Sequence, residues 1–161
     1  MISEQTAIPY VLGPGAGEST PFFGHSFVFK ATAEMTDGAF SVIEIEQHRE
    51  GEPPLHIHHR EDEAFYVLDG EMTFHVGEEQ LHASAGAFVF LPRGVPHSFT
   101  VDGTGVARVL QLCSPAGVER FFREWGDRPL DVRALSAELA PYGVEIVGPP
   151  PRELASAQAV S

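Results

Sequence analysis

Between His25 and Cys113 the chain is a succession of short apolar or alternating runs, each ended by glycine or proline. Asp69-Gly70, between the runs Glu63 to Leu68 and Glu71 to Val76, has the composition of a tight β-hairpin turn. Other runs read as strands from their β-branched and aromatic content: His25 to Thr32, Phe40 to Gln47, Leu81-His82-Ala83, Ala87 to Leu91, His97 to Val101 and Gly105 to Cys113. Alternation in the second puts Ile43 and Ile45 on one face and Val42, Glu44 and Glu46 on the other. Many short strands at even spacing point to a double-sheet jelly roll or a small barrel.

His56 and His58 stand two residues apart just upstream of that turn. In an extended segment, side chains at i and i+2 point to the same side. Both imidazoles can therefore reach one point in space. Four residues separate His58 from Glu63, enough for a bend, and Glu63 opens a strand that carries its carboxylate back past the imidazoles. Further on, an apolar strand runs into a turn set by Pro92, Gly94 and Pro96, and His97 starts the next strand. Three imidazoles and a carboxylate form a mixed N/O set suited to a divalent transition metal, with coordination positions left open for a substrate. Without a cation, four such groups inside a β-sandwich would be poorly solvated.

These two stretches resemble the paired signature of the cupin superfamily. The first motif is met by Gly51, His56, His58, Glu63 and Gly70, with Gly51 one residue closer to His56 than the family pattern. The second is met by Gly86, Pro92, Gly94 and His97, and its closing Asn is replaced by Val101. Asp62 also falls at a permitted spacing, but Glu63 alone keeps six residues before Gly70. From Gly51 through the Phe-Phe-Arg-Glu segment the chain is similar to small single-domain cupins of the quercetin 2,3-dioxygenase kind.

The resemblance implies an all-β cupin double-stranded β-helix, a jelly-roll barrel, with one or two C-terminal helices. It implies His56, His58, Glu63 and His97 as ligands of one divalent transition metal ion: Fe, Mn, Ni, Co, Cu or Zn. Glu63 would also be the catalytic base that takes a substrate hydroxyl proton, and the metal a Lewis acid for the resulting oxyanion. The implied activity is that of a dioxygenase, with dioxygen as co-substrate. A redox-neutral isomerase or cyclase is the alternative, and a non-catalytic small-molecule-binding cupin is a third reading.

Parity gives the pocket lining. Phe65 and Val67 share the face of Glu63, and Phe99 and Val101 that of His97. With Val in place of Asn the cavity becomes more apolar, which favours a small apolar or aromatic organic substrate. His59 faces away from its neighbour His58 and reads as a surface residue, while His25, His48, His75 and His82 read as ordinary strand or loop residues. Cys113 reads as a buried, inert thiol. Gly13-Pro14-Gly15-Ala16-Gly17 lacks the Lys-[Ser/Thr] of a phosphate-binding loop.

At 161 residues, one domain is expected. The balance of 10 basic against 23 acidic residues, a net charge of −13, argues against nucleic acid and anionic membrane surfaces as partners. A single cysteine allows no internal disulfide, and the N-terminus has no signal-peptide pattern, so a cytoplasmic protein is expected. Residues 1–24, rich in Gly and Pro, read as an N-terminal arm with Tyr10-Val11-Leu12 as anchor, and 25–114 as the cupin barrel. Residues 115–148 read as a C-terminal helical extension packed on the barrel. Its first helix starts at Ser114-Pro115, carries Val118, Phe121, Phe122 and Trp125 on one stripe, and stops at Gly126. Its second helix is capped by Asp131 and buries Val132, Leu135 and Leu139. Residues 149–161 read as a flexible tail. An arm and exposed strand edges need covering, so a homodimer is expected.

Overall fold

The strand runs become an antiparallel sandwich whose layers meet over the alternating apolar residues. The computed structural model describes residues 7–129 and 131–159, the side chain of residue 154 excepted. Strand β1 (Glu18–Phe22) and β2 (His25–Ala31) are followed by a single helical turn α1 (Ala33–Thr36) and by β3 (Ser41–His48). A 3-10 turn at Arg49–Gly51 leads to β4 (Leu55–His58), β5 (Asp62–Asp69), β6 (Glu71–Val76) and β7 (Glu79–Ser84). Then come β8 (Phe88–Leu91), β9 (His97–Val101), β10 (Val106–Ser114), α2 (Glu119–Trp125), α3 (Val132–Leu139), β11 (Val144–Gly148) and α4 (Pro151–Ala159). One sheet has the order β1-β2-β3-β10-β5-β8, the other β11-β4-β9-β6-β7. This is the jelly-roll barrel with C-terminal helices. Phe27, Phe29, Ile43, Ile45, Phe65, Val67 and Val109 of the first sheet are buried, as are Met72, Phe74, Phe99 and Val101 of the second.

Several expectations are corrected. Asp69-Gly70 does not close a hairpin: β5 pairs with β10 and β8, while β6 pairs with β7 and β9. The turn is a corner where the chain changes sheets. Gly70 has φ +84°, and a Cβ there would lie 2.6 Å from the carbonyl oxygen of Val106, so only glycine fits the corner. The hairpin made by β6 is with β7, across Gly77.

The arm is shorter than expected. Residues 18–22 form β1, an edge strand that tolerates Pro21 and buries Phe22 beside Phe27, Phe121 and Phe122. Residues 1–6 of the expected arm, and 160–161 of the expected tail, lie outside the described residues. The tail instead forms α4, held by Arg152, whose Nε donates to both oxygens of Glu52 (3.0 and 2.9 Å) and whose Nη2 donates to the Val101 carbonyl (2.9 Å).

Ser114 ends β10 rather than capping α2. The helix begins at Glu119, whose buried carboxylate accepts from the N–H groups of Gly117 and Ala33. Gly126 stops it, and Asp131 caps α3 by accepting from Arg133 N–H. Val132 is 55% exposed rather than buried, because the inward face of this short helix is Leu135 and Leu139, one turn apart. Val144 and its neighbours form β11, the strand that flanks the His56/His58 strand.

Candidate metal centre

Strand β4 offers both of its histidines to the barrel interior, and its pairing with β9 sets His56 directly against His97. These three imidazoles belong to one sheet. Glu63 arrives from the other, at the start of β5. The four ligand atoms lie within 4.8 Å of one another. The site therefore joins the two layers.

The tautomers follow from the backbone. His56 Nδ1 is 2.8 Å from the Pro54 carbonyl and His97 Nδ1 is 3.0 Å from that of Val95. A carbonyl can only accept, so each Nδ1 carries a proton and each Nε2 is turned to the cluster. His58 differs: its Nδ1 lies 3.4 Å from the carboxylate of the buried Glu61. Glu63 Oε2 sits 2.8 Å from His97 Nε2 and 3.8 Å from His58 Nε2.

The electrostatics prepare two of the protonation states a metal requires, a neutral His56 and an ionised Glu63. Burial, reinforced by the neighbouring His97 and His58, pushes His56 down to about 3, so it is neutral at ordinary pH. Burial pushes the Glu63 carboxyl up, but His58 and the hydrogen bond to His97 outweigh it and hold it below the usual carboxylate range. Burial pulls His58 down, yet Glu63 and Glu61 leave it raised on balance. Ligands must be neutral imidazole and ionised carboxylate, and Nε2 atoms turned toward a buried carboxylate fit a divalent transition ion that takes the place of the protons between them.

A cavity of about 540 Å³ opens from this cluster, lined by Phe27, Ile45, Phe65 and Phe99 and by Val118, Phe121 and Phe122 of the C-terminal region. Phe65 and Phe99 line it as parity suggests. Val67 and Val101 do not, because Phe65, Phe74 and Phe99 pack against one another with ring centroids 5.2–5.8 Å apart. That plug leaves the two valines fully buried in the core behind it.

Several residues near the site were not singled out from sequence. Gln111 on β10 donates through its amide to Glu63 Oε1. It was signalled only by a polar residue interrupting the buried series Ala107, Val109 and Cys113. His25, read as an ordinary strand residue, is a buried part of the cavity wall. Its Nδ1 accepts from the N–H of His48, so Nε2 donates to the Gly51 carbonyl (3.0 Å) and neither nitrogen is left over. A Cβ on Gly51 would collide with this imidazole. His59 is on the surface, paired with Glu145 at 2.8 Å. Cys113 is buried, and burial together with Glu63 raises its thiol far above the usual range.

Residues 42–113 match the cupin domain family. Quercetin 2,3-dioxygenase of Bacillus subtilis (strain 168) is 30% identical over 121 residues, 75% of this chain and 36% of that protein. The transcriptional regulator PuuR of Escherichia coli (strain K12) is 30% identical over 59 residues, 37% of this chain and 32% of the regulator. The chain thus spans about a third of the length of these curated relatives. Among solved structures, an RmlC-like cupin from Shewanella frigidimarina NCIMB 400 superposes with a TM-score of 0.58 at 18% identity, covering 70% of this chain and 96% of that one. The Streptomyces nucleoside dehydratase Pac13 gives 0.56 at 17% identity, covering 70% and 88%. Motif, fold, family match and relatives agree: the chain is a small cupin similar to quercetin 2,3-dioxygenase.

Proposed function

We propose that this cupin is a metal-dependent oxygenase of the quercetin-dioxygenase kind, acting on a small, flat, hydroxylated apolar or aromatic molecule. The observation that carries the reading is the junction of two features: a buried three-imidazole, one-carboxylate cluster and an aromatic-walled cavity that opens from it. His56, His58, Glu63 and His97 would hold the ion, and the B. subtilis relative, aligned over three quarters of this chain, favours the oxygenase class. When bound, a divalent ion supplies Lewis acidity toward a substrate oxygen. Glu63, kept ionised beside the cavity, is the group that takes a substrate's hydroxyl proton. Phe65 and Phe99 seat an aromatic ring and keep water from the reacting face.

The same base and cavity would serve a redox-neutral isomerase or cyclase. The test starts with elemental analysis of protein purified without added metal, followed by an oxygen-electrode screen of aromatic hydroxy-ketones. We expect bound transition metal, oxygen uptake, and loss of both in His56→Ala and His97→Ala with the barrel still folded. Full metal occupancy in both variants would overturn the ligand assignment. Turnover of a carbonyl substrate under argon would replace the oxygenase with the redox-neutral reading, and tight ligand binding with no turnover would leave a binding protein.

The reading includes a cytoplasmic homodimer. Its contact would be the outer face of the six-stranded sheet, where pairing places exposed Phe88 beside exposed Tyr66 and exposed Phe90 and Leu112 on either side of Ala64.

A further inference from the structure

We propose that Gln111 is a positioning residue that sets how Glu63 is presented to a cation. Its amide N–H occupies Oε1, so that Oε2 alone is offered to the imidazoles and the remaining coordination positions stay free for substrate. The proposal rests on the metal reading above and concerns one further residue of that site.

Gln111 stands on β10 opposite Phe65, and the pairing of Cys113 with Glu63 puts it two residues along from the base. Its orientation follows from the chemistry of its partner. A metal-ligating carboxylate carries no proton and can only accept, so the amide end at Glu63 Oε1 is the NH₂. That leaves the Gln111 carbonyl oxygen, which is buried without a hydrogen-bond partner among the described residues. Burying an unpaired carbonyl on a strand face that pairs with Phe65 disfavours the fold. An apolar side chain of the same length would be the more stable occupant. The role of the amide therefore lies in what its N–H does at Glu63.

What it does is divide the carboxylate. Oε1 is taken by Gln111, while Oε2 is the oxygen near both His97 and His58. A carboxylate with both oxygens free can bind a cation through one or both. Hydrogen bonds to a ligating carboxylate are a general means of fixing that choice.

The experiment compares wild-type protein with Gln111→Met and Gln111→Leu, each loaded with Mn(II), and measures water-proton relaxivity per bound ion. Four protein atoms on an octahedral ion leave two positions for exchangeable water; a second Glu63 oxygen would remove one, lowering relaxivity about twofold. We expect that loss in both variants, together with unfolding midpoints equal to or above wild type. Equal or higher relaxivity in variants that bind Mn(II) would overturn the role of Gln111 and leave the metal site standing. Failure of both variants to fold would also overturn it, since the amide would then be holding the barrel together. Wild-type protein that takes up no Mn(II) under any loading would instead remove the metal reading on which the proposal stands.

Discussion

Val101 occupies the position where the cupin pattern has Asn, and its surroundings decide what the exchange means. The side chain is fully buried behind the Phe65, Phe74 and Phe99 plug, so it sets core packing rather than cavity polarity. Its backbone is held on both sides: the N–H donates to Glu52 at 2.7 Å, and the carbonyl accepts from Arg49 and Arg152. Val101→Asn would bury an amide in the hydrophobic core. We expect a loss of about 2 kcal/mol in urea unfolding, with metal uptake unchanged. An unchanged midpoint with altered ligand selectivity would instead put Val101 on the cavity wall. At this scale the four residues that converge as a candidate metal cluster were legible, because HxH spacing and a strand-start glutamate are local facts. Gln111 and Glu61 were not, because an amide or carboxylate gains its meaning from partners on other strands.

Among the elements, the strands were legible and their partners were not. Alternation fixes which residues of β3 face inward, but nothing local to Asp69-Gly70 says whether the chain folds back on itself or crosses to the other sheet. The close approach of Gly70 to the Val106 backbone, 36 positions away in the chain, decides it. Helix α4 went unread for a similar reason. Its residues are small, apolar and polar without a pronounced stripe, and one anchor is an arginine reaching a carboxylate 100 positions earlier. The Glu52 side chain is 4% exposed against 46% for Arg152, so the pair is sealed on one side only. Arg152→Ala would leave Glu52 with the Val101 N–H as its partner among the described residues. We expect a loss of about 1–2 kcal/mol, reduced from the cost of breaking a buried pair by the exposure of the arginine. Hydrogen exchange in α4 should accelerate in the variant; unchanged protection would show that the helix is held by other contacts.

At the scale of the whole molecule, the site and the fold depend on each other through the sandwich. One sheet supplies three imidazoles and the other supplies Glu63 and Gln111, so whatever gathers these groups also holds the layers together. The opposite face of the six-stranded sheet has no such partner layer among the described residues. Phe88 and Phe90 lie on its outermost strand and are 66% and 54% exposed, next to Tyr66 and Leu112. A stable interface covers ~800 Å² per partner, and a contiguous aromatic face is the part of this surface suited to it. The net charge of −13 opposes approach of a second copy. Apolar contact must therefore supply the attraction, and added salt should strengthen association by screening the repulsion. Sedimentation should give a dimer at micromolar concentration, tighter at higher salt. Phe90→Glu should be monomeric with its metal content intact, since that side chain points away from the cluster. A wild-type protein that sediments as a monomer at every salt concentration would show that the aromatic face serves something other than self-association.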